Sequence, residues 1–342
     1  MRIIAGLIVF MLLFGCFGGG EVTPPEGNKT NETNQTGPPV TIIIGNQTNQ
    51  TTGGNATEEQ PPPPPPPPEG LQYEYNPDQM FGVYFIDVGG PGLQGDAILI
   101  KKGDLDVLVD AGSAEKSGKV VDFLRSKAVD DIEVLISTAA DPRRYGGMDA
   151  VADAFTIEEV WWSDDSFGDA NYSAVMERMG TEARDVKRVE EGFSMDLNGM
   201  NFTVLNPPKT ARFDDVNNDA IVLRIADRNV SLLLTSDVQG GAQGQLINTK
   251  PDDIKVDILQ APYYGVGVGT SNMGIFLIKS DPDVVIISGS SDESAVNGGS
   301  REPFKRLMTQ YGIPYYENYV NGSIRVSSDG QEYTIQSLGK GS

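Results

Sequence analysis

Short apolar runs rich in Val, Ile, Leu and Phe recur along the chain, at 81–86, 97–100, 107–109, 134–136, 202–205, 221–225, 232–234, 254–259 and 284–287. Several are apolar at consecutive rather than alternate positions, the mark of strands buried on both faces. Stripes at helical spacing separate them, at 120–124, 148–155, 172–179 and 303–311, and Gly146-Gly147 and Gly312-Ile313-Pro314 mark breaks between elements. Doubly buried strands interleaved with amphipathic helices specify a layered fold of sheet and helix. Residues 71–342 are enough for one large domain with a substantial core.

The first 70 residues have a different character. Arg2, an apolar run over 3–14 and the sequence Leu13-Phe14-Gly15-Cys16 predict a lipoprotein-type signal at 1–16 that ends at a lipidated Cys16. The run is too short for a standard membrane-spanning helix. Phe14 is bulky for its position, so an uncleaved anchor and an ordinary secretory signal remain alternatives. All three export the bulk of the protein, and the first two hold it on the outer face of the cytoplasmic membrane. A single cysteine excludes internal disulfides.

Residues 17–70 read as a disordered tether rich in Pro, Asn and Thr, with unbroken proline over 61–68 acting as a stiff polyproline II spacer of about 3 Å per residue. Asn-x-Thr sequons at Asn28, Asn31, Asn34, Asn46, Asn49 and Asn55 predict a glycosylated stalk. Asn171, Asn201, Asn229 and Asn321 add sequons in the folded part. A tethered, glycosylated, acidic protein reads as archaeal.

Acidic residues outnumber basic ones 48 to 26, for a net charge of −22. The tail hardly contributes: its acids are Glu21, Glu26, Glu32, Glu58, Glu59 and Glu69, against Arg2 and Lys29. The excess therefore belongs to the folded part, where it favours solubility and opposes nucleic acid as a partner.

No histidine occurs anywhere in the chain. Even so, the segment from Ile136 to Met148, with Thr138-Ala139-Ala140-Asp141-Pro142-Arg143-Arg144-Tyr145-Gly146-Gly147, resembles the Thr/Ser-His-x-His-x-Asp-His-x-Gly-Gly signature of the metallo-β-lactamase superfamily. Ala139 and Asp141 stand at its first two histidines, Arg143 at its aspartate and Arg144 at its last histidine. Further blocks are similar to the ComEC-type extracellular β-lactamase-like domain of competence proteins. They are Phe85-Ile86-Asp87-Val88-Gly89 with Gln94-Gly95-Asp96-Ala97-Ile98-Leu99-Ile100, Leu108-Val109-Asp110-Ala111-Gly112, Asn218 to Arg224 with Leu232 to Asp237, and Leu259-Gln260-Ala261-Pro262-Tyr263-Tyr264-Gly265.

The resemblance spans 81 to about 337 and implies an α+β fold, a four-layer αββα sandwich. It also places Asp237 on the family's metal-bridging aspartate and Tyr263 and Tyr264 on two of its histidines.

Zinc needs imidazole, thiolate or carboxylate donors, and a catalytic centre needs about three of them plus an open position. Of the aligned positions, Ala139, Arg143, Arg144, Tyr263 and Tyr264 have lost their donor, while Asp141 and Asp237 keep a carboxylate. No zinc is expected. A hard cation on Asp141 and Asp237, with Asp87 or Asp110 nearby, competes with the simpler expectation that both carboxylates pair with Arg143 and Arg144.

Ser137, Ser236 and Tyr263 are the nearest hydroxyls to the old centre, and none has an evident partner base, Asp141 being one only in principle. Binding is the easier reading. Arg143 and Arg144 would take a carboxylate or phosphate, with Tyr263, Tyr264 and the 265–269 loop as an aromatic wall, unless these side chains simply plug the vacated hole. The glycines at Gly89-Gly90-Pro91-Gly92 suit a hairpin turn rather than a phosphate loop. Trp161 and Trp162 end a strand on opposite faces.

The leading expectation is a surface-tethered, metal-free pseudoenzyme that binds a small ligand or protein partner at the envelope. A divergent phosphodiesterase-like hydrolase and a structural envelope glycoprotein are the alternatives.

Overall fold

The computed structural model describes residues 42–44, 70–163, 165–267, 274–292 and 299–340. Cys16 and the sequon residues Asn28, Asn31, Asn34, Asn46, Asn49 and Asn55 lie outside them. Asn171, Asn201, Asn229 and Asn321 lie inside and are all exposed.

Two sheets face each other. The first runs, in spatial order, β1 (Ile42–Ile44), β16 (Tyr333–Ser337), β15 (Ile324–Ser328), β2 (Phe81–Phe85), β3 (Ile98–Lys102), β4 (Leu105–Val109), β5 (Ile132–Ile136), β6 (Ile157–Trp162) and β7 (Asp185–Arg188). The second runs β14 (Tyr315–Glu317), β13 (Val284–Ile287), β12 (Ile258–Gln260), β11 (Val230–Leu234), β10 (Val222–Asp227), β9 (Met200–Asn206) and β8 (Ser194–Leu197).

Strands β4 to β7 pair in parallel, as do β11 to β14. Parallel neighbours need a crossover, and helices supply it. α1 (Ser117–Ser126), α3 (Met148–Ala154) and α4 (Ala170–Glu182) connect strands of the first sheet, and α5 (Gly240–Thr249), α6 (Gly274–Ser280) and α7 (Glu302–Tyr311) those of the second. Among the described residues two short α-helices join them, α2 (Pro142–Tyr145) and α8 (Asn318–Asn321).

Consecutive apolar residues are explained by the layering. In β4, Val107 and Val109 enter the core between the sheets, while Leu108 enters the cluster under α1, α3 and α4. In β13, Val284 and Ile286 face the central core, and Val285 and Ile287 pack beneath α6 and α7. The result is the expected four-layer αββα sandwich.

Trp161 is fully buried between the sheets, and Trp162 packs outward toward Tyr172 of α4, with ring centroids 6.0 Å apart. Gly90 and Leu93 exchange two backbone hydrogen bonds of 3.0 and 2.9 Å, so the glycine-rich segment is a tight turn.

Some details differ from the sequence reading. β1 pairs antiparallel with β16, which places a strand inside the stretch assigned to the tether. Its β-branched Ile42, Ile43 and Ile44 suit strand pairing, and the sheet edge offers unpaired backbone groups. The run 254–259 yields only a short strand, because Asp252 to Lys255 form a capped turn before β12 begins at Ile258.

Candidate functional site

Loops at the carboxyl ends of the parallel strands converge on one place, where ligands bind in sheets of this kind. Asp110 follows β4, Thr138 to Arg144 follow β5, Ser236 and Asp237 follow β11, and Tyr263 and Tyr264 follow β12. Asp96 enters from the loop before β3. Asp110, Ser236, Tyr263 and Tyr264 all hold left-handed backbone, with φ of 58°, 50°, 46° and 58°. Non-glycine residues pay for this conformation, and such strain clusters at functional sites.

Gly146 and Gly147 fit for steric reasons. A Cβ on Gly147 would lie 2.1 Å from the Ala111 carbonyl oxygen, and one on Gly146 would lie 2.5 Å from that of Pro142.

Arg144 occupies the middle. Its Nε and Nη2 donate to the two oxygens of Asp237 at 2.8 and 2.7 Å, a bidentate pair. Nη1 donates to Asp110 at 2.8 Å and to Asp96 at 3.2 Å. All four side chains are at most 2% exposed. Asp110 is fixed in turn by the Thr138 amide at 2.9 Å and hydroxyl at 2.6 Å. Asp96 accepts from the Gln260 amide, whose oxygen accepts from the Thr235 and Ser236 amides at 3.0 and 3.2 Å.

Burial pushes the Asp96 carboxyl up to about 6 against the pull of Arg144, and raises Asp110 as well. Arg144 is held well above its ordinary range: the cost of burial is outweighed by Asp237 and its neighbours, and the guanidinium stays charged.

Arg143 lies toward the surface. Asp141 caps α2 by accepting from the Arg143 amide at 2.8 Å, and the same carboxylate receives Arg143 Nε at 2.8 Å and Nη2. Burial alone would raise Asp141, but the hydrogen bonds and charge of Arg143 hold it below the usual carboxylate range. The Arg143 guanidinium rests against two rings, 5.8 Å from the centroid of Tyr263 and 5.3 Å from that of Tyr264. Arg144 approaches the Tyr264 ring as well, at 5.2 Å.

The Tyr264 hydroxyl is buried, has no hydrogen-bond partner among the described residues, and is pushed far up by burial and by Asp237. A second buried cation, Arg301, fixes this loop by donating to the Tyr264 carbonyl at 2.7 Å.

The six residues singled out from sequence, Asp141, Arg143, Arg144, Asp237, Tyr263 and Tyr264, thus come together. The expected capture of a carboxylate or phosphate by the two arginines does not match their surroundings, because both guanidiniums already engage carboxylates. Asp110 joins the centre, whereas Asp87 lies apart beside Lys119 at 3.3 Å. Ser137 bonds the Tyr172 hydroxyl at 2.9 Å, and Ser236 bonds Thr138 at 2.7 Å.

Asp96, Gln260 and Arg301 are site residues that the sequence reading missed. The one signal for Asp96 was its place in the Gln94-Gly95-Asp96 block. Of the 265–269 loop, Val268 and Gly269 lie outside the described residues. Among those residues no group of three or more His, Cys, Asp or Glu is placed to hold a metal ion, and the carboxylates that do converge meet on a guanidinium.

No family model matches the chain. ComE operon protein 3 of Bacillus subtilis is 22% identical over 211 residues, which are 60% of this chain and 26% of that protein. The uncharacterized protein YcaI of Escherichia coli is 22% identical over 267 residues, 77% of this chain and 32% of that protein. The chain therefore spans between a quarter and a third of these curated relatives. Among solved structures, the metallo-β-lactamase fold protein YhfI of Bacillus subtilis aligns with a TM-score of 0.47 at 14% identity, covering 69% of this chain and 96% of that one. With its two facing sheets, its helix layers and its loops gathered at the carboxyl ends of the parallel strands, the chain is an αββα sandwich similar in fold to metallo-β-lactamase fold proteins, and in sequence it is similar to ComE operon protein 3 and YcaI.

Proposed function

We propose that this chain is a metal-free protein of the metallo-β-lactamase fold that has lost hydrolysis and acts by binding a ligand or partner at the cell envelope. One observation carries the proposal: the Arg144 guanidinium sits among Asp96, Asp110 and Asp237 with every donor nitrogen used. A fixed cation there neutralises the converging aspartates and repels a dication. The Ser137 and Ser236 hydroxyls are engaged with other hydroxyls, so neither is poised by a base to act as a nucleophile.

Export and tethering rest on the apolar run over 3–14, Cys16 and the sequon-rich segment. Metal analysis of purified protein tests the central part, with substoichiometric zinc expected and two stoichiometric zinc ions overturning it. The sequence similarity to ComE operon protein 3 sustains one rival, a divergent hydrolase. Turnover of bis-nitrophenyl phosphate that vanished in a folded Asp141→Ala, Asp237→Ala double variant would favour that rival.

A further inference from the structure

Arg143 is bound the way a ligand is bound. One carboxylate, Asp141, takes two of its side-chain nitrogens, and two aromatic rings close over it. The rings of Tyr263 and Tyr264 have centroids 6.0 Å apart and are tilted by 51°, so they form two walls of a corner. A carboxylate that accepts a planar fork beside two π-faces is the recognition chemistry of a guanidinium. The occupant is carried on its own backbone and remains partly accessible, with 24% of its side chain exposed.

Charge in the old cleft points the same way. Asp96, Asp110, Asp141 and Asp237 face two guanidiniums, and the whole chain carries −22. An anion entering here would meet a surplus of carboxylate, whereas a cation would be attracted.

We propose that Asp141, Tyr263 and Tyr264 form a guanidinium-recognition site in which Arg143 is a displaceable resident, and that the ligand is an arginine side chain of a basic polypeptide partner. This rests on the binding function proposed above and names its ligand chemistry. A resident side chain competes at high effective concentration, so a lone guanidinium binds the wild type weakly, and a partner with several basic groups gains from the acidic surface around it.

The test uses methylguanidinium as probe, titrated into the full chain and followed by tyrosine fluorescence and calorimetry. Arg143→Ala removes the resident, and Arg143→Met removes the charge while keeping an apolar stem. Circular dichroism shows which of the two is folded. Saturable binding is expected in the variants, at least about tenfold tighter than in wild type. It should be lost when Asp141→Asn is added, and tetramethylammonium, which cannot donate to Asp141, should bind more weakly.

Folded Arg143 variants that bind methylguanidinium no better than wild type would overturn the proposal. So would binding indifferent to Asp141→Asn. If neither variant folds, Arg143 is a structural residue and not a displaceable one, which also overturns it. Any of these outcomes leaves the metal content of the protein, and with it the broader functional reading, untouched.

Discussion

Arg143 and Arg144 are neighbours in sequence and opposites in setting. Arg144 is 1% exposed and meets three carboxylates from three different loops, whereas Arg143 is 24% exposed and meets one carboxylate two residues away. The inner arginine ties the domain together across sequence separations of 34, 48 and 93 residues. The outer one closes a local turn. The two neighbours thus divide into an inner cation that ties loops together and an outer one that faces the surface.

The largest expected effect separates the two directly. Arg144→Met should destabilise the fold by about 3–5 kcal/mol, since it leaves three buried aspartates uncompensated. Arg143→Met, at a partly exposed pair, should cost about 1 kcal/mol or less. Chemical denaturation of both variants checks the ranking, and equal losses would erase the distinction.

Acid should split the regions by sign. The Asp96 carboxyl is raised to about 6, so the folded state takes up a proton before the unfolded chain does; the stability it contributes is fully present below its ordinary value and is lost as pH rises through 6. Asp141 is lowered, so its stability is present above its ordinary value and is lost as pH falls through the depressed one. Asp106 and Glu133, raised by burial to about 7 and about 9, slope with Asp96 and need to be subtracted. Melting temperature against pH is therefore compared between wild type and Asp96→Asn, which should flatten the fall between pH 4 and 6, roughly the range between the two values. Asp141→Asn should flatten only the acid limb.

The smallest effect concerns the ring between the arginines. Tyr264→Phe deletes a buried hydroxyl with no hydrogen-bond partner among the described residues, so stability should hold or rise by up to about 1 kcal/mol. A clear loss would show that the hydroxyl serves the inner cluster.

Much of this was legible in sequence where one residue type carries one role. The doubly apolar runs gave the layers, and the stripes at 120–124, 148–155, 172–179 and 303–311 correspond to α1, α3, α4 and α7. α5 was not legible: Gly240, Gly241 and Gly244 weaken its helical signal, and burial of Ala242 and Leu246 holds it in place. The six residues around the old centre could be named because the blocks preserve their frame.

The pairing of Asp141 and Asp237 with the two arginines was legible as well, and the structure has it as Asp141 with Arg143 and Asp237 with Arg144; the part played by Asp96 was not. Asp96 matters only because Arg144 and Gln260, 48 and 164 residues away, reach it in the fold. Local pattern does not encode such a meeting between residues so far apart in the chain.

The account turns on what lies between Asp96, Asp110 and Asp237. Crystals grown with zinc and measured at the zinc absorption edge test this most directly. The account predicts no anomalous peak in that cluster and continuous guanidinium density from Arg144 to Asp237. A strong peak coordinated by these aspartates, with Arg144 swung away, would contradict it.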